Sequence, residues 1–275
     1  MKKELKEKQK KISFESYGVK ISIEADCDID FNLIKNCLAD SLSREFNLVE
    51  NQTSDHIFYI NGDNFTYSLE KNKEKIVSDV SFEFLLDTLE SKVRITVAEF
   101  AVGRVFLHAG VVAIDGKAIV IPARSYHGKT SLVAALIRQG AVYYSDEYAV
   151  LDENGYVHPF PKMLSVRGII DQYAQKDLPV EEFGAVAGTD AVPVAMVLIT
   201  EYVEGAEWKP EQLSAGQGIM DILPHTIPIR NKPEFTLNVL NKVAERAIIT
   251  KTMRAEAVDT ALLIKSFFAK LAFKI

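Results

Sequence analysis

Cysteine is nearly absent from this 275-residue sequence: Cys27 and Cys37 are the only two. One pair makes no disulfide framework, and no cluster of histidine or further cysteine surrounds it to hold a metal, so a reducing, cytoplasmic setting is expected. Long apolar runs are also missing. No uninterrupted stretch reaches the roughly 18 residues of a membrane span, which argues against a membrane partner. The lysine-rich opening MKKELKEKQKK leads into ISFESYGVK instead of an apolar segment. It therefore reads as a solvated tail and not as a secretory signal. An excess of positive charge is lacking too, since the net charge of −6 argues against a nucleic-acid partner. Repeats and low-complexity tracts do not occur. What remains is an ordinary globular composition, 48% hydrophobic and 25% charged, with enough chain for one large domain or two smaller ones.

Periodicity divides the chain softly near residue 103. Residues 1–103 read as a small α+β unit. GVKISIEA (18–25) alternates like a half-buried strand. FNLIKNCLADSLSREF (31–46) places Leu33, Ile34, Cys37, Leu38 and Leu42 on one helical stripe, with Cys37 expected in the core. HIFYING (56–62) and FTYSL (65–69) form a predicted hairpin across Gly62-Asp63-Asn64. A long helix follows from about Ser81, with Phe82, Leu85, Leu86, Leu89 and Val93 at helical spacing.

Residues 104–275 open with VFLHAGVVAIDGKAIVIPARSYHGKTSLVAALIRQG. Asp115-Gly116 is a strong two-residue hairpin signal, because such turns need positive φ. SLVAALIRQ reads as a helix stopped at Gly140. AVYYSDEYAVLDENGYVHPFPK then gives strand, polar break, strand, Asn154-Gly155 turn and strand. Hairpins on both sides of one helix predict a mixed sheet. VPVAMVLIT (192–200) is a buried strand candidate, followed by helix (about 233–246), short strand (IITKT) and helix (about 254–271). The fold class is therefore α/β with α+β character.

PARSYHGKTSL (122–132) carries the chemistry. It has the last three positions of a Gly-x-x-x-x-Gly-Lys-Ser/Thr loop, Gly128, Lys129 and Thr130, with Ala123 where the first glycine belongs. Gly-Lys-Thr alone is a weak signal, but here it follows an apolar strand and opens an amphipathic helix. A helix N-terminus offers unpaired N–H groups and partial positive charge to a phosphate. Lys129 can reach β- and γ-phosphates, and Thr130 can offer a hydroxyl to Mg²⁺. The expected nucleotide-binding set is Ala123, Arg124, Ser125, Tyr126, His127, Gly128, Lys129, Thr130 and Ser131. His127 either bonds phosphate or occupies a tolerant position. At Ala123 a left-handed backbone would cost about 1–2 kcal/mol. A weakened site is expected there before an abolished one. Sixteen residues beyond Thr130, Asp146 and Glu147 follow a strand and suit a metal ligand and a general base. His108 lies in the apolar run FLHAGVV, where a core or edge role is the plain alternative to a functional one.

Taken together, FLHAGVV, the hairpin, PARSYHGKTSL and YYSDEYAVLDENGYVHPFPKMLSVR resemble the HPr kinase-related proteins over about residues 105–167. Their core is similar to the C-terminal kinase domain of HPr kinase/phosphorylase and, more distantly, to phosphoenolpyruvate carboxykinase. The resemblance implies a mixed-sheet P-loop kinase core beside the smaller N-terminal α+β unit. It also implies ATP and Mg²⁺ as ligands and phosphoryl transfer to a hydroxyl, typically of serine. It makes Thr130, Asp146 and Glu147 the metal ligands, Asp146 the general base, and His108 a residue near the phosphates. Arg167, in SVRG, becomes either a phosphate or substrate contact or a surface arginine ending a strand.

Three departures stand out: Ala123, the bulky Tyr126-His127, and the lack of a glycine- and arginine-rich segment downstream. The N-terminal hundred residues do not match that enzyme's regulatory domain either. HPr is accordingly not the expected acceptor. A hydroxyl-bearing peptide, another protein or a small molecule is, with the N-terminal unit recognising it. A non-catalytic nucleotide-binding regulatory module with a degenerate loop is the alternative, and phosphorolysis or pyrophosphate-linked chemistry has no mark of its own. The apolar C-terminal ALLIKSFFAKLAFKI serves either a homo-oligomer interface or, as expected here, the chain's own core.

Overall fold

The computed structural model describes residues 11–43, 45–50, 53–63, 65–123, 128–167 and 175–272. The fold is mixed α/β, with two mixed sheets and six α-helices among the described residues. It divides into two compact units, one ending at Val102 and one beginning at Gly103. No described helix is long and apolar enough to cross a membrane.

The first unit comprises β1 (Lys11–Ser16), β2 (Val19–Ala25), α1 (Phe31–Ser41), β3 (Asn47–Leu48), β4 (His56–Gly62), β5 (Tyr67–Lys71), β6 (Glu74–Val80) and α2 (Phe82–Phe100). Its sheet order is β3-β1-β2-β4-β5-β6, with β2 and β4 parallel. Phe14, Ile21, Ile23, Phe58 and Ile60 form its core with Ile34 and Leu38 of α1 and Leu85, Leu89 and Val93 of α2. Asp30 starts α1 by accepting the N–H groups of Asn32 and Leu33. The helix is shorter than its sequence pattern suggests, because Ser43 turns left-handed at φ 58°. Its buried stripe is Phe31, Ile34, Leu38 and Leu42; Leu33 is 45% exposed and Cys37 only half-buried. Each lies off that stripe. The predicted strand at 65–69 begins two residues later, because Asp63 accepts the N–H groups of both Phe65 and Thr66.

The second unit contains β7 (Arg104–Ile114), β8 (Lys117–Pro122), α3 (Lys129–Arg138), β9 (Val142–Ser145), β10 (Tyr148–Asp152), β11 (Tyr156–His158), β12 (Leu164–Arg167), β13 (Gln175–Leu178), β14 (Val192–Tyr202), β15 (Glu211–Gln212), α4 (Ala215–Ile222), α5 (Pro233–Arg246), β16 (Ile248–Arg254) and α6 (Ala257–Ala272). Its large sheet runs β11-β10-β7-β8-β14-β16-β15, with β9 also on β7. β14 is parallel to both β8 and β16, and the remaining pairs are antiparallel. The Asp115-Gly116 turn joins β7 to β8, at φ 49° and 72°.

Burial on both faces explains the unbroken apolar strands. Ala118 and Val120 of β8 face Ile219 and Ile222 of α4 and Val239, Leu240 and Val243 of α5. Ile119 and Ile121 face Leu132, Val133 and Leu136 of α3 and Ala261, Ile264 and Phe268 of α6. The C-terminal helix thus closes the core of its own unit with one face, while Leu262 and Leu263 on the other are exposed. Ile264→Ala should destabilise by about 2–5 kcal/mol, as a cavity-forming core truncation. Leu262→Ala should cost no more than about 0.5 kcal/mol. Chemical denaturation of the two variants tests this facing.

Candidate functional site

The site is built on β7, because that strand changes partner beside it. Val111–Ala113 pair with β9, whereas Arg104–His108 pair with β10. Between them the chain makes the turn that carries Asp146 and Glu147. Ser145 Oγ shapes that turn by accepting the N–H groups of Glu147 (3.0 Å) and Tyr148 (2.9 Å). The Ala109 N–H donates to the Glu147 carbonyl at 3.0 Å, and the His108 carbonyl accepts the Ala123 N–H at 3.4 Å on the other edge. Two successive residues of one strand therefore fix the acidic turn and the end of β8.

Gly128 precedes α3 in the left-handed region, φ 73° and ψ 21°. Lys129 and Thr130 follow in the first turn. Lys129 is buried, with its Nζ 3.0 Å from His108 Nε2. As the ammonium donates, that imidazole nitrogen accepts. Thr130 Oγ1 donates to Asp146 Oδ2 at 3.2 Å. The Tyr143 hydroxyl lies 3.1 Å from Asp146 Oδ1 and 2.8 Å from the Lys162 carbonyl, so its single proton serves one at a time. Lys162 Nζ stands 3.7 Å from Glu147 Oε2, which brings the Pro-Phe-Pro-Lys segment back to the acidic turn.

Burial dominates the electrostatics. It pushes the Lys129 ammonium down to about 8, against the pull of Asp146 and Glu147. It raises Asp146, and the Glu147 charge adds to that, while Tyr143, Lys129 and Thr130 oppose it. The Tyr143 phenol is pushed well above its ordinary value, first by burial and then by Asp146.

Of the residues singled out from the sequence, His108, Lys129, Thr130, Asp146 and Glu147 converge here. Ser131 is exposed on the first turn of α3. Ala123 follows the end of β8 at Pro122 and is 6% exposed. It is not among the described non-glycine residues with positive φ, so the left-handed cost expected for alanine does not arise. Arg124, Ser125, Tyr126 and His127 lie outside the described residues. Arg167 ends β12, with its backbone paired to Gln175; its side chain is not among those described.

Three residues escaped the sequence reading. Arg254, at the end of β16, is buried and donates from Nη2 to the Gly128 carbonyl at 2.9 Å. Its guanidinium centre lies 5.6 Å from the Tyr202 ring centroid. More than a hundred residues separate it from the loop, and no local pattern could have signalled it. Gly110 lets α3 approach β7: a Cβ there would stand 2.6 Å from Val133 Cγ2 and 3.1 Å from Lys129 Cγ. A glycine inside an apolar strand was its available signal. Tyr143 was legible only as a strand residue.

The oxygen donors fit magnesium better than a dedicated protein cage. No group of three or more His, Cys, Asp or Glu among the described residues is arranged to hold a metal. Mg²⁺ commonly takes one or two protein oxygens and completes its shell with phosphate and water. Thr130 and Asp146 supply adjacent oxygens of that kind.

A helix N-terminus bearing a buried lysine and a hydroxyl, faced by a carboxylate pair, has the chemistry to handle a phosphate. No protein-family model matches the chain, and no curated protein matches it. Among solved structures, it is similar to the Hpr(Ser) kinase/phosphatase from Coxiella burnetii, at 17% identity and a TM-score of 0.33 over 62% of this chain and 97% of that one. Likeness at that level decides neither fold type nor activity.

The lowered Lys129 value would make phosphate binding at this helix pH-dependent. The ammonium persists below about pH 8 and is lost above it. Binding should therefore weaken between pH 7 and 9 and take up a proton near pH 8.5. Calorimetry in two buffers of different ionisation enthalpy measures that uptake.

Proposed function

We propose that this chain is an ATP- and Mg²⁺-dependent kinase that transfers a phosphoryl group to a hydroxyl of a peptide, a protein or a small molecule. One observation carries the reading. Thr130 Oγ1 stands 3.2 Å from Asp146 Oδ2, while Lys129 of the same helical turn is buried beside His108. Phosphate-binding and proton-accepting groups thus share one site. The proposal includes the fold type, a P-loop kinase core of the HPr kinase and phosphoenolpyruvate carboxykinase kind, and assigns acceptor recognition to the N-terminal unit.

In this reading the first N–H groups of α3 and the Lys129 ammonium hold the β- and γ-phosphates. They meet charge that is already present and grows on the leaving oxygen. Bound Mg²⁺ would neutralise phosphate charge, with Thr130 and Asp146 as its protein ligands and Glu147 beside them. Asp146 takes the proton of the acceptor hydroxyl as that oxygen bonds to the γ-phosphorus and the bond to the bridging β-oxygen breaks, releasing ADP. Burial raises the proton affinity of Asp146, which suits a base, while the hydrogen bonds from Thr130 and Tyr143 favour its ionised form. His108, accepting from Lys129, orients the ammonium.

Asp146→Asn should keep ATP binding within a few-fold while turnover falls by about 10²–10⁴. ADP release by slow hydrolysis, with water as acceptor, measures it without an identified substrate. A wild-type protein that binds ATP and shows no turnover would instead support the regulatory nucleotide-binding module.

A further inference from the structure

A cavity of about 770 Å³ opens beside the end of β8, with Pro122 and Ala123 on its rim. Its floor is the C-terminal ends of β14 and β16, and residues 207–211 and the end of α4 complete the wall. None of His108, Lys129, Thr130, Asp146 and Glu147 lines it. The sheet order explains why. The acidic turn sits on the β7 side of β8, and the cavity sits on the β14 side.

Resting on the kinase reading above, we propose that this cavity holds the nucleoside end of the triphosphate, its ribose and base. Phosphoryl transfer places the attacking and leaving oxygens roughly in line. With Asp146 accepting the proton of the attacking hydroxyl, the acceptor enters on the β7 side. The nucleoside diphosphate leaves on the opposite side, toward β14.

The lining has the matching chemistry. Lys251 pairs with Asp221 at 2.8 Å, and Lys209 pairs with Glu207. Glu201 and Glu211 also line the cavity, and no ion pair among the described residues engages them. The surplus is negative, which repels phosphate and suits the hydroxyl and amine donors of a nucleoside. Met220 and Met253, 65% and 58% exposed, bring thioether side chains to the same cavity, as a planar base favours. The anionic end of the ligand thus belongs at the N-terminus of α3 and the donor-rich end here.

The test compares Mg²⁺-ATP with Mg²⁺-tripolyphosphate, which has the phosphates and no nucleoside, by calorimetry. The wild type should bind ATP at least tenfold more tightly. Met220→Ser/Met253→Ser and, separately, Glu201→Gln should each weaken ATP by about three- to tenfold while leaving tripolyphosphate unchanged. All three positions are exposed, so the variants should fold as the wild type does. ATP binding unchanged in both variants, or a wild type that binds tripolyphosphate as tightly as ATP, would overturn the assignment and leave the kinase reading standing. A wild type that binds neither ligand would overturn both.

Discussion

A lysine ammonium taken out of water is the constraint around which the second unit is arranged. Lys129 is held at the first turn of α3 by packing that depends on Gly110, and burial lowers its proton affinity by more than its acidic neighbours restore. Such a group weakens the fold unless it is paired, and here His108 Nε2 lies 3.0 Å from it while Asp146 and Glu147 favour its charge. Opposite it, burial and then the neighbouring Glu147 charge raise Asp146. In the proposed reading, a phosphate carrying a divalent cation would complement both sides.

β7 is the frame that keeps these two sides in register. It holds the acidic turn through the Ala109 N–H and the end of β8 through the His108 carbonyl, and it presents the His108 ring to Lys129. A displacement of that strand would move His108, the Asp146-Glu147 turn and the end of β8 together. Arg254 ties in the far edge of the sheet, because its guanidinium reaches the Gly128 carbonyl from β16. Ala123 and Gly128 are therefore tied to β7 and β16 respectively. The masses of α3 with α6 and of α4 with α5 give that sheet its rigidity.

Much of this was legible in the sequence, and the reasons are physical. Asp115-Gly116, the apolar strands and the Gly128–Thr130 start of α3 are local signals, each set by a few neighbouring residues. The mixed sheet followed from hairpins flanking one helix. Less legible were features fixed by contacts distant in sequence. Leu33 and Cys37 look like core residues on a longer helix, yet α1 buries the stripe through Phe31, Ile34 and Leu38, which leaves both off it. The penalty anticipated at Ala123 presumed a left-handed backbone, and that residue, the first after β8, is not among the described non-glycine residues with positive φ. Arg254 and Tyr143 join the site through the sheet alone, and β1, β6 and α4 were not anticipated because their patterns are short or weakly periodic.

In the proposed reading, the helix opened by Gly128, Lys129 and Thr130 binds a nucleoside triphosphate. Calorimetric titration of ATP with Mg²⁺ into the wild type and into Lys129→Ala tests it most directly. Saturable binding by the wild type that is lost in the variant is the predicted result. Equal affinity in both, or no binding by the wild type at millimolar nucleotide, would contradict it.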